Sequence, residues 1–445
     1  MTDGHPEKRG FMSWYFRSNL LWRILAGLCL GAATGIALGM MANGQPSPNA
    51  VDAFVAWFGF LGDIFIRLLK MIVVPVVFLS LVGGAASIAP AHLGRVGLKI
   101  FFFYIVTSAI AVIIGLGLAN LIKPGLGFHV MGDPAAAVAM RAAPPLSQVL
   151  LNIIPTNPVE SLARGDILPT IFFAIVFGIG ISLVKDSPNP RAARAAEILE
   201  DVCSAGAEVM YKVVAGIMQY APVGVFVLIA IVFAEQGPRA IGQLIMITLT
   251  VYIGQALHLI LAYGGCLALF GLGLATFIRK SSQVMITAFV TRTSSGTLPL
   301  TLRVTEERLG APRGIASFSL PLGATINMDG TAIYLGVCSM FIGFATDTPL
   351  TFDQQMTVVI TATLASIGTA GVPGAGAIML LMVMDSIGMG VEAGTNVAAA
   401  YAMILGIDAL LDMGRTGLNV TGDMVGTVVV AKSEKALDLS AWDRP

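Results

Sequence analysis

The sequence predicts an all-α polytopic membrane protein with eight transmembrane helices and two oppositely oriented re-entrant helical hairpins. Of its 445 residues, 56% are hydrophobic and only 12% are charged, which is about half the charged share of an ordinary soluble domain. Apolar stretches of at least about 18 residues with few charges recur along the chain, as expected of membrane-spanning helices. A soluble enzyme would need polar faces on its helices, and few of these stretches have them.

The apolar stretches, taken in order, give eight crossings and two interrupted segments. The first stretch follows a polar N-terminus and is too long for the apolar region of a signal peptide, so we interpret it as an uncleaved span. The interrupted segments, 275–305 and 352–389, contain small residues and proline in their middles. The predicted crossings are 18–42, 52–88, 95–122, 146–185, 195–234, 239–271, 313–346 and 394–431.

Charged residues at the ends of these stretches predict their orientation. Lysine and arginine lie before the first span, after the second and fourth spans and after the last span, which places both termini in the cytoplasm. Basic residues flank 275–305 on both sides, so we expect this segment to enter and leave from inside. Acidic residues flank 352–389, which we expect to enter and leave from outside. Two ordinary crossings kinked at proline would fit this charge pattern less well.

The two interrupted segments contain similar small residues and proline near their centres. One contains "RTSSGTLP" (292–299) and the other "SIGTAGVPGAG" (366–376). Irregular backbone at membrane depth is tolerated only inside protein or beside water. Such a pair of interrupted segments in corresponding halves of a chain is typical of a transporter with its binding site near the membrane midplane.

The last span, "DALLDMGRTGLNVTGD", carries polar side chains at steps of 4, 3, 1, 3 and 4, which share one face of a helix. They are Asp408, Asp412, Arg415, Thr416, Asn419 and Asp423. Facing lipid, the four charged groups among them would cost roughly 10–14 kcal/mol, so this face should meet protein, water or a ligand. A purely structural ion-pair network is the alternative, although apolar residues would give stability more cheaply.

The residue types on this face suit a zwitterionic acid. A guanidinium binds a carboxylate through two parallel hydrogen bonds, and a carboxylate one turn away can hold an ammonium group. Asp412, Arg415, Thr416 and Asn419 together match an amino acid with an acidic side chain. A basic amino acid would leave Arg415 without a suitable partner.

A second polar group lies in "ATINMDGTAIYL" (324–335). Asp329 beside the amide of Asn327 forms a hard-oxygen site that suits a small cation. Glycine and asparagine weaken a helix, so this segment could unwind and expose carbonyl groups to Na⁺. In the third span, Tyr104, Thr107 and Ser108 share a helix face. On their own these hydroxyls more often bond to carbonyls of their own helix.

Other function classes find little support in the sequence. Basic and acidic residues number 26 each, and no basic stripe or nucleic-acid motif is present. The four cysteines are scattered without the spacing of a disulfide framework or metal site. An ion channel would need a repeated filter or a ring of charges. A membrane enzyme would need a nucleophile with a base, and the histidines are far apart in sequence: His5, His92, His129 and His258.

Four motifs in order, "RTSSGTLP", "NMDGT" (327–331), "SIGTAGVPGAG" and "DMGRTGLNVTGD", resemble those of the glutamate transporter family, the dicarboxylate/amino acid:cation symporters. The similarity runs from about residue 18 to 432 and is of the prokaryotic, sodium-coupled type. It implies a secondary-active symporter, not an enzyme, that takes up aspartate or glutamate across the cell inner (plasma) membrane. The alternative is a proton- or sodium-coupled C4-dicarboxylate carrier, whose substrate has no ammonium group for Asp412. Anion conduction is an implied side function.

The resemblance also implies a homotrimer, inverted repeats and an elevator mechanism. The scaffold would comprise residues 1–94, with spans 1 and 2, and 146–236, with spans 4 and 5 and the trimer contacts. The transport domain would comprise 95–145, with span 3 and an outer loop, and 237–432, with spans 6 to 8, the inner hairpin and the outer hairpin. Residues 433–445 would form a cytoplasmic tail.

For the substrate, the resemblance implies that Arg415 and Thr331 hold the side-chain carboxylate, while Asp412 and Thr416 hold the amino group. Two further residues would bind the α-carboxylate and two would close over the substrate. These are, respectively, Asn419 with Ser294, and Val372 with Gly376.

For co-transported sodium, the resemblance implies three sites. The first would use Asp423 and carbonyl groups of Gly323, Asn327 and Asn419. The second would use carbonyl groups of Thr325, Ser366, Ile367 and Thr369. The third would use Asp329, the amide of Asn327, the hydroxyls of Thr107 and Ser108, and the carbonyl of Tyr104.

Single positions refine the expected coupling. Leu335 stands where potassium-exporting members carry a glutamate, and Asp423 is a carboxylate that proton-driven members tend to lack. Both favour coupling to sodium alone. Arg292 follows the prokaryotic pattern, and Gly417 beside the substrate residues leaves the choice between aspartate and glutamate open.

Overall fold

The computed structural model of the chain describes residues 18, 20–40, 48–86, 95–128, 151–367, 371–392 and 394–444. Within them every regular element is a helix. Most of the predicted outer loop (129–145), the start of the predicted fourth span and Thr369 lie outside the described residues.

The described residues form sixteen α-helices in chain order. A π-helical turn, Leu259–Tyr263, joins α7 to α8. The helices are α1 Leu20–Met40, α2 Pro48–Ala86, α3 Arg95–Ile122, α4 Pro158–Arg164, α5 Ile167–Lys185, α6 Pro190–Gln236, α7 Arg239–His258, α8 Gly264–Leu269, α9 Leu274–Thr291, α10 Ser294–Glu307, α11 Arg313–Ile326, α12 Asp329–Ala345, α13 Phe352–Ile367, α14 Ala375–Ser386, α15 Asn396–Ser433 and α16 Leu439–Asp443.

Seven helical stretches in the described residues are long and apolar enough to cross a membrane: α1, α2, α3, α6, α7 with α8, α11 with α12, and α15. Each coincides with a predicted crossing. The predicted span 146–185 is not one helix, because the chain breaks between α4 and α5. Gly165 ends α4 in the left-handed conformation, with φ of 77°, and α5 then supplies a mostly apolar helix of 19 residues.

Both interrupted segments fold as two helices joined by a break. Between α9 and α10, Arg292 adopts φ of 56°, and the hydroxyl of Thr293 caps α10 by accepting the Gly296 N–H at 3.2 Å. The second segment forms α13 and α14, and Gly374 before α14 has φ of 84°. Thr293 also donates its hydroxyl to the carbonyl of Gly371 at 2.8 Å, so the tips of the two segments touch.

Helices α12 and α15 form the interior of the protein. All residues of α12 are buried, and α15 packs against α9, α11 and α12. Two glycines permit close approaches of α12 to its neighbours. A Cβ at Gly115 of α3 would lie 2.7 Å from the Ile333 carbonyl oxygen of α12, and one at Gly330 would lie 2.4 Å from the Arg415 carbonyl oxygen of α15. These contacts bring polar residues of separate helices to one place.

The chain after α15 folds back onto the base of α9 and α10. Lys280 of α9 donates to the carbonyl of Ala441 at 2.6 Å, and the Asp438 N–H donates to the carbonyl of Gly310 at 2.9 Å. Trp442 is only 5% exposed. The side chain of Trp442 therefore anchors α16.

Glu434, directly after α15, joins this end of the helix to α3. It accepts hydrogen bonds from Arg95 and Lys99. These bonds lower the pKa of the Glu434 carboxyl to about 2, so this contact between α3 and α15 persists through the physiological pH range.

Trp442→Ala should release α16, because removing a buried aromatic side chain costs about 3–5 kcal/mol and a helix of five residues has little stability of its own. We expect amide hydrogen exchange at residues 439–443 to accelerate at least about tenfold, measured by mass spectrometry. Leu439→Ala, which removes a side chain that is 42% exposed, is the control and should change exchange little. Equal exchange in the two variants would show that Trp442 does not anchor the tail.

Candidate binding site

The polar segment between α11 and α12 is unwound, as the sequence predicts. Helix α11 ends at Ile326 and α12 begins at Asp329. Asn327 (φ −92°, ψ 86°) and Met328 (φ −116°, ψ 51°) have left the helical conformation. The backbone of these two residues is buried inside the protein, where irregular structure is tolerated at membrane depth.

The polar face of α15 meets protein across its whole length. Its six predicted polar residues, from Asp408 to Asp423, are each at most 5% exposed. The expectation that this face avoids lipid is confirmed. The large penalty for charges facing lipid therefore does not arise.

Arg415 lies at the centre of this face. Its Nη2 donates to Asp412 Oδ1 at 2.8 Å, and its Nη1 forms an ion pair with Asp408 Oδ1 at 2.9 Å. The guanidinium carbon lies 4.1 Å from the ring centroid of Tyr334, which is a cation–π contact. The sequence indicated no role for Tyr334, because helical periodicity relates only residues of the same helix and Tyr334 lies on α12 whereas Arg415 lies on α15.

Several charged atoms of this group have unused bonding capacity. Among the described residues, neither Nε nor Nη1 of Arg415 has a hydrogen-bond acceptor, and Asp412 Oδ2 has no donor. The ion pair of Nη1 with Asp408 does not count as a hydrogen bond, because it lacks the geometry of one. Such atoms are costly to bury without partners. A ligand that carries both an anionic and a cationic group could satisfy them together.

The outer segment closes against the same guanidinium. A Cβ at Gly376, near the start of α14, would lie 2.4 Å from Arg415 Nη1. The backbone of α14 therefore passes directly over Arg415.

At the tip before α14, a Cβ at Gly371 would lie 3.3 Å from Ser294 Cβ and 3.1 Å from the Ala324 carbonyl oxygen. Ser294, at the start of α10, is 3% exposed. The two tips and the unwound segment thus converge, and Val372 follows Gly371 in this tip.

Asn419 and Asp423 connect α15 to the unwound segment. Asn419 Oδ1 accepts the Gly330 N–H at 2.7 Å, and Asn419 Nδ2 lies 3.4 Å from the Thr331 hydroxyl. Asn327 Nδ2 donates to Asp423 Oδ1 at 3.1 Å and to the Asn419 carbonyl at 3.3 Å. These bonds hold Thr331 and Asn419 beside Arg415.

The side-chain oxygen of Asn327 and the carboxylate of Asp423 form a second polar region beside the unwound segment. Its Oδ1 has no hydrogen-bond partner in the described residues. A Cβ at Gly323 would lie 2.5 Å from Asp423 Oδ1, so the backbone of Gly323 borders this carboxylate. A carboxylate with nearby backbone and amide oxygens is the type of environment that hard cations prefer.

Asp329 is fully buried and accepts three side-chain hydrogen bonds. Ser108 donates to Oδ1 at 2.6 Å. Tyr263 donates to Oδ2 at 2.7 Å, and His258 Nε2 lies 3.0 Å from the same oxygen. The predicted proximity of Ser108 and Asp329 is confirmed, whereas the sequence did not indicate His258 and Tyr263. They are five residues apart and would not share a face of an α-helix.

The hydroxyls of three other predicted cation ligands make bonds within their own helices. The Thr107 hydroxyl donates to the Tyr104 carbonyl at 3.3 Å, which is the local bonding that such hydroxyls commonly make. Thr325 likewise donates to the Leu322 carbonyl at 2.9 Å, and Ser366 to the Thr363 carbonyl at 2.7 Å. Their roles as ligands stay predictions.

The family model of the sodium:dicarboxylate symporter family matches residues 20–433. The chain is 34% identical to the proton/glutamate-aspartate symporter of Escherichia coli (strain K12) over 94% of each chain. It is 32% identical to the proton/sodium-glutamate symport protein of Bacillus caldotenax, over 93% of this chain and 94% of that one. It is also 35% identical to the C4-dicarboxylate transport protein of Rhizobium meliloti (strain 1021), over 85% and 84%.

Two glycines of α15 provide a matched test of the close packing around Asn327. A Cβ at Gly422 would lie 2.1 Å from the Tyr263 hydroxyl and 2.4 Å from Asn327 Nδ2, whereas one at Gly417 would have no neighbour closer than 3.6 Å. Overpacking costs about 1–3 kcal/mol, so Gly422→Ala should lower the melting temperature of the purified protein by several degrees. Gly417→Ala should leave it unchanged or raise it slightly. A Gly422→Ala protein as stable as the Gly417→Ala protein would contradict the close packing around Asn327.

Proposed function

The chain belongs to the sodium:dicarboxylate symporter family, and we propose that it takes up an acidic amino acid, aspartate or glutamate, driven by the sodium gradient. It is a membrane transporter and not an enzyme. The proposal rests mainly on the unused donors of Arg415 and the unused acceptor of Asp412, buried side by side.

The substrate would complete these two groups at once. Its side-chain carboxylate would accept from Arg415, with help from Thr331, and its ammonium would bind Asp412 Oδ2 and Thr416. Arg415 and Asp412 are already bonded to one another, so a zwitterionic substrate inserts between charges that are balanced before it arrives.

The α-carboxylate would bind between the two segment tips and α15. Asn419 and Ser294 would contact it, while Val372 and Gly376 close over the substrate. The contact between the tips, from Thr293 to Gly371, supports this arrangement, because it places both tips at the unwound segment.

A C4-dicarboxylate is the second candidate, since one similar protein carries that name. Such a substrate could also bind Arg415. It has no cationic group, however, and would bring a second carboxylate towards Asp412 Oδ2. Like charges in a buried site repel strongly, so the pairing of Asp412 with Arg415 favours the amino acid.

Sodium is the proposed co-transported ion, although similar proteins are named for protons as well. The unpartnered oxygen of Asn327 and the approach of Gly323 to Asp423 support a first sodium site at Asp423. Asp329, the Asn327 amide, Thr107, Ser108 and the Tyr104 carbonyl would form another. The remaining site would use carbonyl groups of Thr325, Ser366, Ile367 and Thr369.

The proposed architecture is a homotrimer with an elevator movement. Packing within the chain supports two groups of helices: α1 and α2 lie against α6, and α2 also lies against α5, while α3 lies against α12 and α15 lies against α9, α11 and α12. The first group would be the scaffold. The second would move with the substrate. The whole chain would have eight crossings, two re-entrant segments and both termini in the cytoplasm.

Uptake into proteoliposomes tests the function directly. With an inward sodium gradient, labelled aspartate or glutamate should accumulate and should stimulate entry of labelled sodium, whereas succinate should do neither. Internal potassium and internal choline should support equal uptake at a clamped voltage, because Leu335 offers no carboxylate. Accumulation of aspartate or glutamate driven by a proton gradient without sodium would contradict the proposal. Sodium-driven accumulation of succinate would also contradict it.

Arg415→Cys tests the assignment of the substrate carboxylate. Loss of a buried charge-assisted pair costs about 2–5 kcal/mol, so the affinity for aspartate and glutamate should fall at least about thirtyfold. Serine or alanine could then become substrates, because the site no longer requires an acid. Arg303→Cys is the control, since Arg303 is exposed and its ion pair within the described part of the chain is with Glu307. Unchanged aspartate and glutamate binding in Arg415→Cys would remove Arg415 from the site.

A further inference from the structure

The carboxylate of Asp329 is nearly saturated by side chains of the protein. A carboxylate has about four positions for hydrogen-bond donors, and Ser108, His258 and Tyr263 occupy three of them. In contrast, the carboxylate of Asp423 accepts from Asn327 alone among the side-chain donors of the described residues. The two buried acids at the unwound segment are therefore held differently.

A local change in helix geometry places two of these donors. Residues five apart in a regular α-helix differ in direction by about 140°. The π-helical turn Leu259–Tyr263 adds a residue to the turn after His258, and both side chains then reach the same oxygen, Asp329 Oδ2. Their rings meet edge to face with centroids 4.6 Å apart. Single π-helical turns of this kind are frequent at functional sites.

The geometry also determines how His258 acts. Because an ionised carboxylate only accepts hydrogen bonds, His258 carries a proton on Nε2. Its Nδ1 is buried and makes no hydrogen bond within the described residues. His258 Nε2 and the Tyr263 hydroxyl are thus donors of fixed direction towards Asp329 Oδ2.

A sodium-coupled symporter needs this kind of support at one step of its cycle. After it releases substrate and sodium, it must return across the membrane with its binding site empty. A fully buried carboxylate without a cation is expensive unless hydrogen bonds satisfy it. Donors that belong to the protein remain available at this step, whereas the cation does not.

We propose that His258 and Tyr263, together with Ser108, stabilise the Asp329 carboxylate in place of sodium and so permit the return of the empty carrier. The inference rests on the proposed function of the chain. His258 and Tyr263 act as positioning residues that contact neither substrate nor sodium. Ser108 differs from them, because its hydroxyl would turn from donor to ligand when sodium binds.

Tyr263→Phe tests the proposal with the smallest change, the loss of one hydroxyl. Net uptake into proteoliposomes requires return of the empty carrier, whereas exchange of labelled for unlabelled substrate, with sodium on both sides, does not. We expect the ratio of net uptake to exchange to fall about tenfold, since one hydrogen bond to a charged group is lost. Tyr252→Phe is the matched control, because Tyr252 lies on α7, just before the π-helical turn, and its hydroxyl donates to the Leu410 carbonyl instead of Asp329.

Sodium-dependent thermal stability, measured without substrate, gives an independent readout. In choline, Tyr263→Phe should melt well below the wild type, and saturating sodium should remove most of this difference. The sodium concentration for half-maximal stabilisation should fall, because loss of a donor destabilises the sodium-free form more than the sodium-bound form, in which the cation also stabilises Asp329. His258→Leu should behave like Tyr263→Phe. His258→Gln, whose amide can donate to Asp329, should restore wild-type behaviour.

The outcomes separate this inference from the proposed function. Equal losses in net uptake and exchange, with equal melting shifts in choline and in sodium, would make these residues purely structural and overturn the inference. A raised sodium requirement in Tyr263→Phe would show that the hydroxyl supports sodium binding, which also overturns it. A wild type that is stabilised by sodium but transports no acidic amino acid would contradict only the proposed substrate, and the melting shifts would still decide the role of Tyr263.

Discussion

The burial of charge in an apolar protein is the constraint on which this structure depends. Four carboxylates, those of Asp329, Asp408, Asp412 and Asp423, and the guanidinium of Arg415 are each at most 5% exposed. A buried charge is tolerated only with a partner or with hydrogen bonds. The unwound segment and the π-helical turn supply such partners for Asp423 and Asp329, and each interrupts an otherwise regular helix.

These five groups carry an excess of three negative charges, because four carboxylates face one guanidinium. An acidic substrate, itself a net anion, would add to this excess. Binding it in a medium of low dielectric constant requires cations, which gives a physical reason for the proposed coupling of uptake to sodium. The three donors on Asp329 reduce the cost of the same charge by hydrogen bonding, and in the proposed cycle they would stabilise the empty site as sodium stabilises the loaded one.

Small residues make this concentration of polar groups possible. A side chain at Gly330 or Gly376 would collide with Arg415, and one at Gly323 or Gly422 would collide with Asp423 or Tyr263. Because these positions lack a Cβ, backbone groups of α11, α12, α14 and α15 come within contact distance of the charged side chains. Close packing of this kind limits relaxation, so the directions of the hydrogen bonds are determined by the helices.

The sequence by itself determined what depends on neighbouring residues. Apolar length indicated the membrane-spanning helices, helical periodicity placed the six polar residues of α15 on one face, and weak helix formers indicated the break at Asn327. The structure decided what depends on distant residues. Tyr263 and His258 lie 66 and 71 positions from Asp329, and the π-helical turn that unites them is set by packing between helices. Local propensity carries no information on such pairings, because they arise only when separate helices are brought together.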